Sequence, residues 1–273
     1  RSDLQFLKQL DNLTGKPHPT KKSEMTMTTE PTDKSIESLM IEERTFPPSE
    51  SLRANSYISS EEQYEKMWRQ SIDEPDAIWL EQAKTLDWFK EPSKSLEFVW
   101  DTAARKIEHT WFQDGVLNVA YNCLDRHMGT PIEHKTAILW QGEEEDSVEK
   151  LTYRDMYERV QRFANVLKAR GIEKGDRVAI YMPMVPEATV AMLACARIGA
   201  IHSVIFGGFS AEAIRGRVND SDCKMIITAN LLRRSGKHIL LKDIVDESLV
   251  GSPSVESVVV VQTGDQACRM QEG

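Results

Sequence analysis

The chain has 273 residues, enough for one large domain or two ordinary ones, and its 40% hydrophobic and 28% charged residues form a globular balance with material for a sizeable core. A net charge of −9 argues against nucleic acid as a partner, because phosphate-backbone binders carry a basic surface, although a local basic loop can still hold a small anion. No apolar run approaches the ~18 residues of a membrane span, so no membrane partner is expected.

In chain order, the opening RSDLQFLKQL lacks an initiator Met and the apolar stretch of a signal peptide. The sequon at Asn12-Leu13-Thr14 is therefore discounted, and the expected compartment is the cytoplasm. Residues 11–56 are rich in Ser, Thr, Pro, Lys and Glu, a composition that cannot bury enough surface to offset chain entropy. Segment 1–56 is accordingly expected to be largely disordered. Residues 57–150 are expected to form a Trp-rich helical and mixed region, with Trp68, Trp79, Trp88, Trp100, Trp111 and later Trp140. Apolar spacing over 61–113 predicts short helices packed against something larger, with the tryptophans anchoring the packing, since each can bury a large area. His127 and His134 flank a predicted strand at KTAILW and have no evident carboxylate partner.

Residues 151–273 read most clearly, as an α/β sub-domain. Thr152 with Asp155 resembles a capping box, and Met156, Val160, Phe163, Ala164 and Leu167 then fall on one helical face, with Gly171 as a stop. RVAIYMP (177–183) predicts a buried strand, and Pro186-Glu187 opens the next helix, dense in small residues. Strands follow at IHSVIF (201–206), CKMIITA (223–229) and SVVVVQ (257–262), separated by helices after Ser210 and at LKDIVDESL (241–249). Alternating strands and helices predict a parallel sheet flanked by helices, with ligands at the carboxyl ends of its strands. Both GGFS (207–210) and RRSGK (233–237) follow strands, which puts them on that edge.

Glycines at 207 and 208 either let backbone N–H groups approach a phosphate or simply make a tight strand-to-helix turn, and spacing alone favours the turn. RRSGKH is not a Walker A loop: His238 follows Lys237, and no Gly stands five residues before Gly236. Arg233, Arg234 and Lys237 remain a compact cationic loop, which by itself reads more simply as a solvated charged turn. Ser203 and Ser210, near His202, lack a nucleophile elbow, and His202 reads as a packing or turn residue. The four cysteines contain no CxxC pair and the histidines no HExxH spacing, so neither a zinc site nor a disulfide framework is expected.

WFQDGVLNVAYNCLDRH (111–127), GDRVAIYMPMVPEATVAMLACARIGAIHSVIFGGFSAEAI (175–214) and TANLLRRSGKHILLKDIVDESL (228–249) resemble the acetyl-CoA synthetase family, AMP-forming acetate–CoA ligases of the adenylate-forming superfamily. ERTFPPSE (43–50) and the Tyr/Trp-rich stretch after it resemble the N-terminal portion of that family, so the likeness runs from about residue 43 to the end. The resemblance implies the first part of a large N-terminal domain. It also implies a two-step reaction, in which acetate and ATP give acetyl-adenylate and diphosphate, and CoA then displaces AMP.

By that resemblance the loop Phe206-Gly207-Gly208 contacts CoA, and Arg234 and Lys237 meet its nucleotide phosphates. This reverses the bland reading of both loops. Arg233 beside Arg234 leaves two candidates for the first basic position, and Lys237 stands where a bidentate Arg would also serve. The family's ATP-phosphate loop, its acyl pocket and its mobile C-terminal domain are expected downstream of Gly273. No catalytic residue is therefore expected in this chain, nor any ligand for the Mg2+ that the full enzyme would use with ATP. The fragment is expected to be inactive alone, as part of a ligase or, alternatively, as a non-catalytic CoA- or nucleotide-binding module that has lost the active half.

Overall fold

A computed structural model describes residues 45–270. The chain divides into two units, Arg1–Ser60 and Glu61–Gly273. Of the loose segment expected over 1–56, residues 1–44 lie outside the described residues. The remainder carries a short helix, α1 (Glu50–Asn55), capped by the Ser49 hydroxyl, which accepts from the Leu52 N–H at 3.3 Å.

The second unit opens with α2 (Glu61–Asp73) and α3 (Pro75–Ala83), the latter begun by Pro75, whose missing N–H is tolerated in a first turn. Asp76 accepts from the Ser95 hydroxyl at 2.7 Å and the Ser95 N–H at 3.0 Å, and these bonds hold its carboxyl below the usual range. Next comes an antiparallel hairpin, β1 (Leu96–Asp101) and β2 (Lys106–Trp111), where short helices had been expected. Its physical reason is period-two alternation. Leu96, Phe98, Trp100, Ile107 and Trp111 share one face by register, and most charged residues share the other.

The tryptophans also depart from expectation. Trp68, Trp79, Trp100 and Trp111 are 38–54% exposed, while Trp88 and Trp140 are partly buried. Trp79 and Trp111 meet edge-on at 5.7 Å, so aromatic packing here is between surface neighbours rather than into a core.

The block 111–127 is a set of structural ties. Asn118 caps α4 (Val119–Cys123) and donates to the carbonyls of Ala196 and Arg197 at 2.9 and 3.2 Å. Asp125 receives both terminal nitrogens of Arg197, at 2.9 and 2.5 Å. His127 packs edge-on against Tyr153, and His134, expected to lack a carboxylate, has Glu133 Oε1 3.1 Å from its Nε2. A second antiparallel hairpin, β3 (Thr136–Gln141) and β4 (Val148–Thr152), leads into the core.

The capping box forms as predicted. Thr152 Oγ1 accepts from the Asp155 N–H at 3.1 Å, Asp155 Oδ2 accepts from the Thr152 N–H at 2.9 Å, and α5 (Tyr153–Ala169) follows. Then come β5 (Arg177–Met182), α6 (Pro186–Ile198), β6 (Ile201–Phe206), α7 (Ala211–Asp220), β7 (Met225–Ala229), α8 (Leu241–Leu249) and β10 (Ser257–Val261). The four strands form one parallel sheet in the order β10-β7-β5-β6. Between β7 and α8 lies a hairpin that sequence reasoning missed, β8 (Leu232–Arg234) and β9 (Lys237–Ile239).

Alternation along β5 and β7 divides the core in two. Val178, Ile180, Met182, Met225 and Ile227 pack with residues of α5 and α6, among them Met156, Val160, Leu167 and Ala194. Ala179, Tyr181 and Ile226 pack with Ile214, Val218, Leu241 and Val245 of α7 and α8. Each Val, Leu, Ile or Met among them contributes roughly 1.5–3 kcal/mol by leaving water.

Two features of this core are testable. Lys242 is 3% exposed on α8, and its ammonium donates to both oxygens of Asp246, at 2.6 and 2.8 Å, and to the Arg269 carbonyl at 3.2 Å. Removing one partner of a buried pair strands the other charge, whereas replacing both partners with apolar groups does not. Asp246→Ala is expected to lower unfolding stability by about 3 kcal/mol, and the double variant Lys242→Met/Asp246→Leu by about 1 kcal/mol or less, in urea melts. Burial pushes the Cys195 thiol up to about 12 and raises Cys223 as well, whereas Cys123 is exposed. Thiolates are the reactive form. Iodoacetamide at pH 8 with peptide mapping is expected to modify Cys123 readily, and Cys195 and Cys223 only after denaturation.

Candidate functional site

The predicted loops sit at the carboxyl edge of the sheet, where parallel strands present ligand sites. A cavity of about 520 Å³ opens there. Its walls come from the ends of β5 (Met182) and β6 (Val204, Phe206, Gly207), from Leu231 to Arg234 after β7, from Thr263 after β10, and from the β3–β4 hairpin.

Strand β5 positions the glycine loop. Tyr181 is completely buried, and its hydroxyl accepts from the Gly208 N–H at 3.1 Å while donating to the Phe209 carbonyl at 2.9 Å. The two glycines are required for different reasons. A Cβ at Gly207 would stand 3.0 Å from the Met182 carbonyl oxygen, and Gly208 adopts φ +121, a region L side chains rarely enter. Ser210 then caps α7 through the Ala213 N–H. Neither the period of the strand nor its composition marked Tyr181, because its role lies in a hydroxyl 27 residues away from the amide it holds.

The cationic loop is the two-residue hairpin β8–β9, with Ser235 at φ 51 and Gly236 at φ 71. Two left-handed residues make the turn whose twist matches paired strands. The Ser-Gly dipeptide was the sequence signal for it. Arg234 pairs with Lys237 and Arg233 with His238. Partners directly opposite share a face, so Arg234 and Lys237 point together and Arg233 points the other way.

Of the residues singled out by sequence, Phe206, Gly207 and Arg234 line the cavity, with the Arg234 guanidinium 6.0 Å from the centre of the Phe206 ring. Gly208 lies in the adjoining loop. Lys237 stands outside the lining, beside Arg234 on the hairpin, and Arg233 lines the cavity from the other face.

Two further groups shape this edge. Asn230 is 2% exposed; its amide nitrogen donates to the carbonyls of Gly264 and Gln266 at 3.2 and 2.7 Å, and its oxygen accepts from the Thr263 N–H at 2.8 Å. This fastens the chain after β10 to the end of β7. Trp140 Nε1 donates to the Met184 carbonyl at 2.7 Å, fastening the β3–β4 hairpin to the end of β5. Among the described residues no group of three or more His, Cys, Asp or Glu side chains is placed to hold a metal ion. No helix among them is long and apolar enough to cross a membrane.

The sheet thus carries a glycine loop and a paired cationic hairpin at its carboxyl edge. The chain belongs to the AMP-binding enzyme family, whose description matches residues 125–271. Upstream, residues 64–123 match the acetyl-coenzyme A synthetase N-terminus. The acetyl-coenzyme A synthetase of Halorhodospira halophila is 50% identical over 224 residues, 82% of this chain and 34% of that protein. That of Chlorobaculum tepidum is 47% identical over 239 residues, 88% of this chain and 35% of that protein. Among solved structures, acetoacetyl-CoA synthetase from Streptomyces lividans matches with TM-score 0.64 and 25% identity over 73% of this chain and 30% of that one. The chain thus spans about a third of the length of the curated relatives it matches.

Removing the Tyr181 hydroxyl leaves the Gly208 and Phe209 backbone groups without their partner. An unmade buried hydrogen bond costs about 1–3 kcal/mol. Tyr181→Phe is expected to lose stability in that range and to speed hydrogen exchange at Gly208 and Phe209 while leaving β7 amides protected, read by mass spectrometry.

Proposed function

We propose that the chain is the N-terminal part of an AMP-forming acetate–CoA ligase, and that Phe206, Gly207, Gly208, Arg234 and Lys237 are its share of the CoA site. In this reading acetate attacks ATP to give acetyl-adenylate and diphosphate, and the CoA thiol then displaces AMP. The single observation that carries the assignment is the pairing of Arg234 with Lys237 on one face of a hairpin beside Phe206, at the carboxyl edge of the sheet.

CoA presents a 3′-phosphate and a diphosphate. An Arg gripping phosphate bidentately and a Lys acting as a point charge suit those groups. Phe206 is 59% exposed and offers a ring face on which a base can stack. Backbone at Gly207 and Gly208 allows close approach of the chain to the ligand. Pairing with Lys237 favours Arg234 over Arg233 for the first basic position.

We assign no catalytic residue within this chain, and read it as inactive alone: the acetate, ATP and Mg2+ chemistry belongs to the whole ligase. The three-part organisation, 1–56, 57–150 and 151–273, is kept as part of this reading. A cytoplasmic location is consistent with four free thiols, none of them paired.

Two measurements test the reading. Calorimetric titration with CoA is expected to show saturable binding that Arg234→Ala and Lys237→Ala each weaken about 5- to 10-fold, a modest loss because both side chains are exposed and screened by solvent. Unchanged CoA affinity in both variants overturns the site. Acetate-dependent ATP–diphosphate exchange is expected to be absent for the 273-residue chain, and robust exchange overturns its inactivity.

A further inference from the structure

The tip of the cationic hairpin is already engaged by a carboxylate from elsewhere in the chain. Between β3 and β4 the sequence runs GEEEDS (142–147). This loop is held in shape by the Gly142 N–H, which donates to the Ser147 carbonyl at 2.7 Å, and by Gln141 Nε2, which donates to the Glu144 carbonyl at 2.8 Å. Its root is fixed by the Trp140 bond to Met184. So held, the loop reaches the β8–β9 turn, where the Gly236 N–H donates to Glu143 Oε1 at 3.1 Å. Gly236 stands between Arg234 and Lys237 in the chain, so this carboxylate occupies the backbone donor of the turn between them.

We propose that Glu143 is a resident occupant of the amide at the hairpin tip, which an incoming phosphate must displace. The inference rests on the preceding reading of Arg234 and Lys237 as a phosphate site. A charge-assisted N–H to carboxylate bond is stronger than a neutral one, which keeps the tip closed without ligand. The contact is exposed to water, where charged surface contacts contribute little, which leaves it weak enough to open. A phosphomonoester carries nearly two charges and three acceptor oxygens, so it outcompetes one carboxylate for the same donors. Apparent affinity for such a ligand is then reduced by the fraction of molecules in which the tip is free. Glu143 therefore sets how tightly the site takes a nucleotide phosphate, with no effect on ligand parts that never reach the turn.

The test titrates the complete chain with adenosine 3′,5′-bisphosphate, and with adenosine as the control without phosphate. Glu143→Ala and Glu143→Gln are expected to tighten the bisphosphate about 3- to 10-fold and to leave adenosine unchanged. Glu145→Gln removes the same charge from the same loop without touching the turn, and is expected to stay within about twofold of the parent. Equal tightening by Glu145→Gln overturns the proposal, because net loop charge would then suffice. Bisphosphate binding that is unchanged or weakened in both Glu143 variants also overturns it while leaving the phosphate site standing. Failure of every protein to bind the bisphosphate overturns the phosphate site and the proposal with it. An NMR readout needs no ligand: Glu143→Ala is expected to move the Gly236 amide proton upfield by several tenths of a part per million, and an unmoved resonance sinks the contact itself.

Discussion

Strand β5 is buried on both faces, and the carboxyl edge of the sheet takes its form from the strand's last two residues. Tyr181 and Met182 point to opposite cores, as adjacent residues in a strand must. From one side the Tyr181 hydroxyl holds the backbone at Gly208 and Phe209, and the Met182 carbonyl leaves no room for a Cβ at Gly207. The glycine loop is thereby set by a strand buried along almost its whole length. A loop placed by such a strand keeps its backbone conformation without help from a ligand.

Around this strand, side-chain amides and one indole fasten the segments that border the cavity. Asn230 fastens the chain after β10, Trp140 the β3–β4 hairpin, and Asn118 the end of α6. Each satisfies backbone groups at the end of a strand or helix, where the regular ladder stops and unpaired polar groups are costly. The same ties explain the polar residues in WFQDGVLNVAYNCLDRH, whose Asn118 and Asp125 hold α6 through its last carbonyls and Arg197. Their work is structural, although they lie in a block that is similar to an enzyme family.

Charge is organised locally in this acidic chain. The net charge is −9, yet the β8–β9 turn gathers Arg234 and Lys237 on one side. Opposite them the GEEEDS loop supplies Glu143.

Sequence by itself determined the parallel sheet, the helices α5 to α8 and the side-chain caps of α5 and α7, because each rests on short-range rules. Alternation set the two faces of β5 and β7, Thr152 with Asp155 set a helix start, and Pro186 fitted a first turn. It also brought Phe206, Gly207, Gly208 and the basic residues to the strand ends. Tertiary structure alone decided which arginine faces Lys237, since that depends on the register of a hairpin read first as a plain loop. Burial of the tryptophans was likewise undecided: area available to bury is a property of the side chain, whereas exposure depends on what lies against it, and Trp68, Trp79, Trp100 and Trp111 remain on the surface. The contacts from Tyr181 to Gly208 and from Glu143 to Gly236 join residues 27 and 93 positions apart, a distance over which no local pattern carries information.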